Sequence, residues 1–190
     1  DIIPDARIAT LIMSGHMYDS RRLLYGTTAE LFHRFGDLIE LGGDFVLANE
    51  LLQNDMDHGE KIARFKAAQR IDYTSIDGVV VVTSKIGAFE ASTARSFIGL
   101  GADISFIIAP KSGELRGSAR ANDKLINIGE VMSQLAEEFG GTGGGHAAAA
   151  GLNIRPAPVK KTQKKIQHRF VELVRQRLNT PLSEPIAEIE

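Results

Sequence analysis

The sequence predicts an α/β chain of the α+β kind, and three observations carry the prediction. From Ala6 to Ile71 the apolar residues recur at helical spacing, with no internal repeat. Beyond Asp77 the texture changes: Val79 to Val82 is a continuous valine run of the kind that forms a buried strand, and helical and strand-like stretches follow one another. Near the end stands Gly140-Gly141-Thr142-Gly143-Gly144-Gly145-His146-Ala147-Ala148-Ala149-Ala150-Gly151, a run too rich in glycine for an ordinary element. A change from helices to a mixed region places the domain boundary near Asp72 to Asp77, giving domains 1–74 and 75–190.

Asp5 and Pro4 precede a first helix from Ala6 to Met13, with Ile8, Leu11 and Ile12 as its apolar face. The polar stretch Ser14-Gly15-His16-Met17-Tyr18-Asp19-Ser20 reads as a turn. Thr27 or Thr28 caps a second helix, with Glu30 in its first turn, Leu31, Phe35, Leu38 and Ile39 on one face, and Gly42-Gly43 as its stop. A third helix spans Phe45 to Leu52. A fourth runs from His58 to Ile71 with Ile62, Phe65 and Ala68 inward.

In the second half the valine strand precedes a helix that opens at Phe89 and ends near Gly99-Leu100-Gly101. Strands at Ile104–Ala109 and Leu115–Ala121 are joined as a hairpin through Lys111-Ser112-Gly113. Leu125 to Phe139 is helical, with Ile128, Met132 and Leu135 buried, and Leu152 to Ile154 is a further strand. The last helix, at about 160–178, buries Ile166, Phe170, Leu173 and Val174. Thr180-Pro181 ends it, and an acidic tail follows.

Composition removes several functions. The 190 residues include no cysteine, which excludes disulfides, thiolate metal sites and cysteine nucleophiles. No apolar run reaches the roughly 18 residues of a membrane span, so no membrane partner is expected and a cytoplasmic location is. The net charge of −2 hides an asymmetry: eight Lys and Arg fall between Arg155 and Arg177 against one acid, Glu172, while acids outnumber bases elsewhere. Such a block is either an electrostatic footprint for nucleic acid or the solvated face of one amphipathic helix.

The glycine–alanine run reads as a phosphate-binding corner. Successive backbone N–H groups at a loop-to-helix junction form an anion site, the alanines leave its first turn bare, and His146 adds a side-chain donor. A P-loop requires Lys and then Ser or Thr after the last glycine, where this chain has His146 and Ala147. A dinucleotide-binding turn follows a strand, whereas a helix precedes this run. A glycine-rich connection that merely permits close packing is the alternative. Arg116, Ser118 and Arg120 are spaced by two, so a regular strand sets them on one face; a bulge at Gly117 would turn Arg116 away. They either bind phosphate or solvate an exposed strand.

Gly143-Gly144-Gly145-His146, followed by alanines and Gly151, resembles the GGGH motif of the DHH-associated domain, the substrate-binding part of DHH phosphoesterases. Arg116-Gly117-Ser118-Ala119-Arg120 resembles the Ser-x-Arg strand that precedes GGGH in that family, whose members include RecJ-type exonucleases, oligoribonucleases and cyclic-dinucleotide phosphodiesterases. The resemblance implies the helical end of a DHH catalytic domain over 1–74, followed by a DHH-associated domain with a mixed sheet flanked by helices over 75–190. It implies substrate binding by Gly143, Gly144, Gly145, His146, Ser118, Arg120 and Arg116. It makes Asp19 the last metal ligand, for Mn2+ or Mg2+ in the full-length protein, with His16 shaping the turn. The substrates it implies are short oligonucleotides, single-stranded nucleic acid or nucleotides.

The Asp-His-His triplet and the earlier aspartate motifs of that family do not occur in this sequence, and Asp57-His58 lies on the wrong side of Asp19 to replace them. With the opening at Asp1, the expectation is a fragment whose missing N-terminal DHH segment carries most metal ligands, so that the chain alone is inactive or nearly so. A nucleotide- or nucleic-acid-binding regulatory module without chemistry is the other reading. Substrate, cleavage polarity and oligomeric state, a homodimer included, stay open.

Overall fold

The computed structural model describes residues 3–52, 56–122 and 125–179. The chain forms two compact units, Asp1–Met56 and Asp57–Glu190. The division lies ahead of the expected Asp72–Asp77 boundary because the helix after it belongs to the sheet unit: Ser84 Oγ donates to the Ala67 carbonyl at 2.7 Å.

The first unit comprises α1 (Ala6–Asp19), α2 (Ala29–Glu40) and α3 (Phe45–Glu50). Asp5 caps α1 by accepting from the Ile8 amide at 2.9 Å, and Thr28 and Asp44 cap α2 and α3 in the same way. The expected turn at Ser14–Ser20 is instead the last part of α1. Ala9, Met13 and Met17 form an i, i+4 stripe that continues through it, packing against Phe35, Leu38 and Ala48. The polar residues fit because they are bonded: Thr10 Oγ1 donates to the Ala6 carbonyl and accepts from the Asp44 amide, and the Ser14 hydroxyl lies within reach of the Thr10 and Ala48 carbonyls. The buried stripe therefore differs from the expected face, and Ile8, Leu11 and Ile12 are exposed. Gly43 shows why the helices come so close. A Cβ there would lie 2.6 Å from the Leu38 carbonyl oxygen and 2.8 Å from the Met13 sulfur.

The second unit contains α4 (His58–Ala68), β1 (Asp72–Ile76), β2 (Val79–Lys85), α5 (Glu90–Leu100), β3 (Ile104–Lys111), β4 (Glu114–Ala121), α6 (Ile128–Glu138), β5 (Thr142–His146), β6 (Ala149–Ile154) and α7 (Lys160–Leu178). Its six strands form one mixed sheet in the order β1-β2-β3-β4-β6-β5. Only β2 and β3 pair in parallel, joined through α5. Ser112 and Gly113, both at positive φ, make the two-residue turn of the β3–β4 hairpin. Of the expected inward face of α4, Ile62 and Phe65 are exposed, and it is Ala67 that is buried.

Strand alternation sends side chains to two separate cores. Ile104, Phe106, Ile108 and Leu115 pack beneath α6 and α7 with Met132, Leu135, Ile166 and Val174. Val82, Ile107 and Ala109 face the other way, toward Ala94 and Phe97 of α5 and Ala67 of α4. The stripe expected for α7 is buried, and Phe170 stacks on Phe106 with ring centroids 4.4 Å apart. Arg169 donates to Glu138 at 2.7 and 2.9 Å, and Arg177 pairs with Glu130, so α7 is tied along α6 by charge as well as by packing. The Thr180-Pro181 stop and the acidic tail lie outside the described residues. No helix among those described is long and apolar enough to cross a membrane.

Phe170 is fully buried, so Phe170→Ala is expected to lower stability by about 3–5 kcal/mol through lost transfer energy and an unfilled cavity. Urea denaturation of both proteins checks this, and a loss below about 1 kcal/mol would show that α7 does not close the core.

Candidate phosphate-binding trough

The glycine run is a strand, not a loop leading into a helix. Thr142–His146 pairs antiparallel with Ala149–Ile154, and Ala147 and Ala148 form the tip between them. Tertiary hydrogen bonds hold that tip: the Ile128 amide donates to the Ala147 carbonyl at 2.9 Å, and the Ala121 amide to the Ala148 carbonyl at 3.1 Å. The alanines cannot open a helix while their carbonyls are held this way. The nearby start of α6 is no anion site either, since the Gly129 and Glu130 amides are taken by the Asn127 side chain.

Glycine is required here for approach. A Cβ on Gly143 would stand 2.5 Å from the Met132 carbonyl oxygen and 2.8 Å from the Ala136 methyl, so α6 lies directly on the strand. Gly145, at φ +151°, would collide with the Ala149 carbonyl at 2.5 Å. Gly144 differs: at φ +144° it has open space where a Cβ would stand.

That open space belongs to a cavity of about 670 Å³ over the end of the sheet, and the register gives its floor. Arg120 pairs with Ala149 and Ala149 with His146; Ser118 pairs with Gly151 and Gly151 with Gly144; Arg116 pairs with Asn153 and Asn153 with Thr142. Three rows therefore cross β4, β6 and β5. Each begins at a polar side chain on β4 and ends on the glycine strand, and the middle row, Gly151 to Gly144, is bare. The residues between them, Leu115, Ala119, Ala150, Leu152 and Ile154, point into the core beneath α6 and α7. The pairing of β4 runs without offset from Glu114 to Ala121, so no bulge at Gly117 turns Arg116 aside.

The two arginines differ in how they are held. Arg116 pairs with Glu90 at 2.8 Å, and that carboxylate, at the start of α5, is almost fully buried. Arg120 donates through Nη1 to Ser118 Oγ at 3.0 Å and to the Ala119 carbonyl at 2.8 Å. Among the described residues no carboxylate pairs with Arg120. Burial first, and the nearby Arg95 charge second, push its guanidinium below the ordinary value. A part-buried cation beside another cation, over a floor of bare backbone, favours an anion.

Of the residues singled out in the sequence, Arg116, Ser118, Arg120, Gly143 and Gly144 line this cavity. His146 does not line it; it is exposed at the end of the Arg120 row. Gly145 serves the hairpin. Asp19 is the exposed last residue of α1, in the other unit, and among the described residues no group of three or more His, Asp or Glu could hold a metal ion. Asp57 is a helix cap, accepting from the Gly59 and Glu60 amides. Sequence reasoning missed Glu90 and Asn153, and named Thr142, Ala149 and Gly151 only as part of the glycine–alanine run. The period-two pattern of Ala149, Gly151 and Asn153 against Ala150, Leu152 and Ile154 is the signal that would have found the last strand's open face.

Residues 99–172 match the family model of the DHHA1 domain. An uncharacterised protein of Methanocaldococcus jannaschii is 31% identical over 170 residues, covering 87% of this chain and 50% of that protein. The cyclic-di-AMP phosphodiesterase of Listeria monocytogenes is 25% identical over 166 residues, covering 83% of this chain and 24% of that protein. The chain thus spans half or less of the curated relatives it matches. Among solved structures, an exopolyphosphatase-related protein from Bacteroides fragilis superposes with a TM-score of 0.58 over 90% of this chain and 51% of its own, at 15% identity, which is a likeness of fold.

Gly143→Ala is expected to destabilise the chain by about 1–3 kcal/mol, because helix backbone cannot give way to the new methyl. Gly151→Ala, whose methyl would lie 3.4 Å from the Gly117 carbonyl oxygen, is expected to fold with less loss while filling the trough. Thermal unfolding of both variants separates the two glycine roles; equal losses would contradict the assignment.

Proposed function

We propose, from the premise that this chain carries the DHH-associated domain of the DHH phosphoesterase family, that its trough grips a phosphate of a nucleotide or short oligonucleotide in a phosphodiester-hydrolysing protein. The observation that carries the reading is Arg120, part-buried and unpaired by any described carboxylate, at the side of a floor that Gly144 and Gly151 keep bare. A tetrahedral phosphate can then approach the backbone closely while Arg120 donates from the side.

Each group has a separate task. Arg120, held by Ser118 and the Ala119 carbonyl, presents its remaining N–H groups to phosphate oxygens. Arg116, fixed by Glu90, supplies a second cation further along β4 and marks where an adjoining phosphate or ribose lies. Because β5 is the last strand of the sheet, the backbone groups on its outer side have no strand partner among the described residues. His146, at the solvent end of the row, donates to a part of the ligand that extends out of the trough. The bare centre leaves room for a sugar without contributing hydrophobic recognition of a base.

Hydrolysis in this reading draws on Mn2+ or Mg2+, hard cations that bind several oxygen ligands and supply an activated water. Asp19 offers one such oxygen, and the described residues offer no set to complete it. They do not by themselves fit a metal centre, and the task of this chain is to hold and orient the substrate. The cyclic-di-AMP activity named for the Listeria relative favours a dinucleotide as the ligand to try first.

Calorimetric titration with a linear diadenosine dinucleotide and a cyclic one tests the reading. Arg120→Gln is expected to weaken binding by about 10–100-fold, the equivalent of losing charge-assisted hydrogen bonds. His146→Ala is expected to weaken it less. Wild-type affinity in Arg120→Gln would remove the trough from the site, and robust Mn2+-dependent cleavage by the isolated chain would overturn its restriction to binding.

A further inference from the structure

A second cavity, of about 630 Å³, lies elsewhere on the same unit, between α7 and the β1–β2 edge of the sheet. Its lining is strongly basic: Arg70, Lys85, Lys160, Lys164 and Arg175 surround it, against the carboxylates of Asp72 and Glu172. Among the described residues none of these five cations is ion-paired, and Glu172 is engaged by Arg169 at 3.1 Å. Lys160, Lys164 and His168 recur every four residues and Arg175 follows two turns later, so the four share one stripe along the helix, with Val171 and Glu172 between the last two.

The basic helix is thereby divided between two tasks. Arg169 and Arg177 turn toward α6 and are consumed by Glu138 and Glu130. The cavity stripe has no such use. A structural helix gains nothing from gathering like charges around a concave surface, because each raises the cost of its neighbours.

Lys85 shows that cost. It projects from β2 into the cavity, part-buried, with its ammonium donating to Gln163 Oε1 at 2.5 Å. Burial first, then Lys160 and Arg70, push it below the ordinary lysine value. The surrounding polar groups are fixed: Gln163 Nε2 donates to the Pro158 carbonyl at 2.7 Å, and Gln167 Nε2 to the Ser84 carbonyl at 3.1 Å. Among the described residues no Phe, Tyr or Trp lines the cavity, so it has no large aromatic platform for a base, and its lining is dominated by cations suited to phosphate.

From this arrangement we infer that the groove between α7 and the β1–β2 edge is a second anion site, which binds the phosphates of a polyphosphate chain or a nucleic-acid backbone without reading bases. It is independent of the trough, and it stands whether or not the trough binds nucleotides.

The test compares two double variants in an Arg120→Gln background, which removes the trough's cation from both. Lys160→Gln with Lys164→Gln takes two charges from the groove; Lys161→Gln with Lys165→Gln takes two from outside its lining, so net charge changes equally. All four lysines are exposed, and both variants are expected to fold, as circular dichroism would verify. The probes are labelled oligothymidylate of about 12 nucleotides, within the usual single-strand site size, read by anisotropy, and inorganic tripolyphosphate, read by calorimetry.

The groove variant is expected to lose at least about tenfold affinity for one or both probes, with the control changing less than about twofold. For oligothymidylate, the slope of log affinity against log salt is expected to fall by about 1.4, corresponding to two phosphate contacts. Loss for oligothymidylate alone assigns a strand backbone as the ligand, and loss for tripolyphosphate assigns a free phosphate chain. Equal losses in the two double variants would reduce the effect to bulk charge and overturn the proposal. So would the absence of measurable binding of either probe to the Arg120→Gln parent at low salt.

Discussion

Helix α6 rests directly on the backbone of β5, and the rest of the sheet unit depends on that contact. Gly143 permits it, because any side chain would meet the Met132 carbonyl. Once α6 lies that close, Ile128 can tie down the Ala147 carbonyl, the β5–β6 hairpin is held against β4, and the sheet gains its last two strands. The same lack of side chains has an opposite effect on the other face. There Gly144 and Gly151 leave a floor without cover, beside the arginines of β4. One composition thus satisfies packing on one face and opens a site on the other.

Charge is distributed by the same economy of position. Arg116 is oriented by a buried glutamate, while Arg120 is held only by neutral oxygens and stays available for an anion. On α7 the division is between residues of one helix. Arg169 and Arg177 bind the helix to α6, and Lys160, Lys164 and Arg175 stand around a separate groove. The basic block is therefore neither simply a footprint nor simply a solvated face, the two readings that composition alone leaves open. Part of it is consumed in structure, and part is left over.

Much of this fold was legible in the sequence. The valine run became β2, Ser112-Gly113 turned a hairpin, and the apolar periodicities of α2, α6 and α7 located those helices. The elements missed were those whose form is imposed by neighbours. β1 carries polar residues and buries only Ile76, so it has no strand pattern of its own. The end of α1 looks like a turn until Met13 and Met17 are seen to continue a buried stripe through Ser14 and Gly15. The glycine run has neither period nor propensity, and only pairing with β6 and pressure from α6 make it extended. For the same reason the site was half visible. Arg116, Ser118 and Arg120 follow from period two, but the small residues of β6 that complete the floor cannot be recognised until their strand is placed beside β4. Asp19 ends α1, in the other unit.

The central claim is that the bare trough, not the Ala147–Ala148 tip or His146, is where a nucleotide phosphate settles. Backbone amide NMR of the chain during titration with a dinucleotide tests it most directly, since glycine amides report without side-chain substitution. The account predicts the largest, saturable shift changes at Gly144, Gly151, Ser118 and Arg120, with small changes at Ala147 and Ala148. Changes centred on Ala147, Ala148 and the start of α6, with Gly151 and Ser118 unmoved, would contradict it.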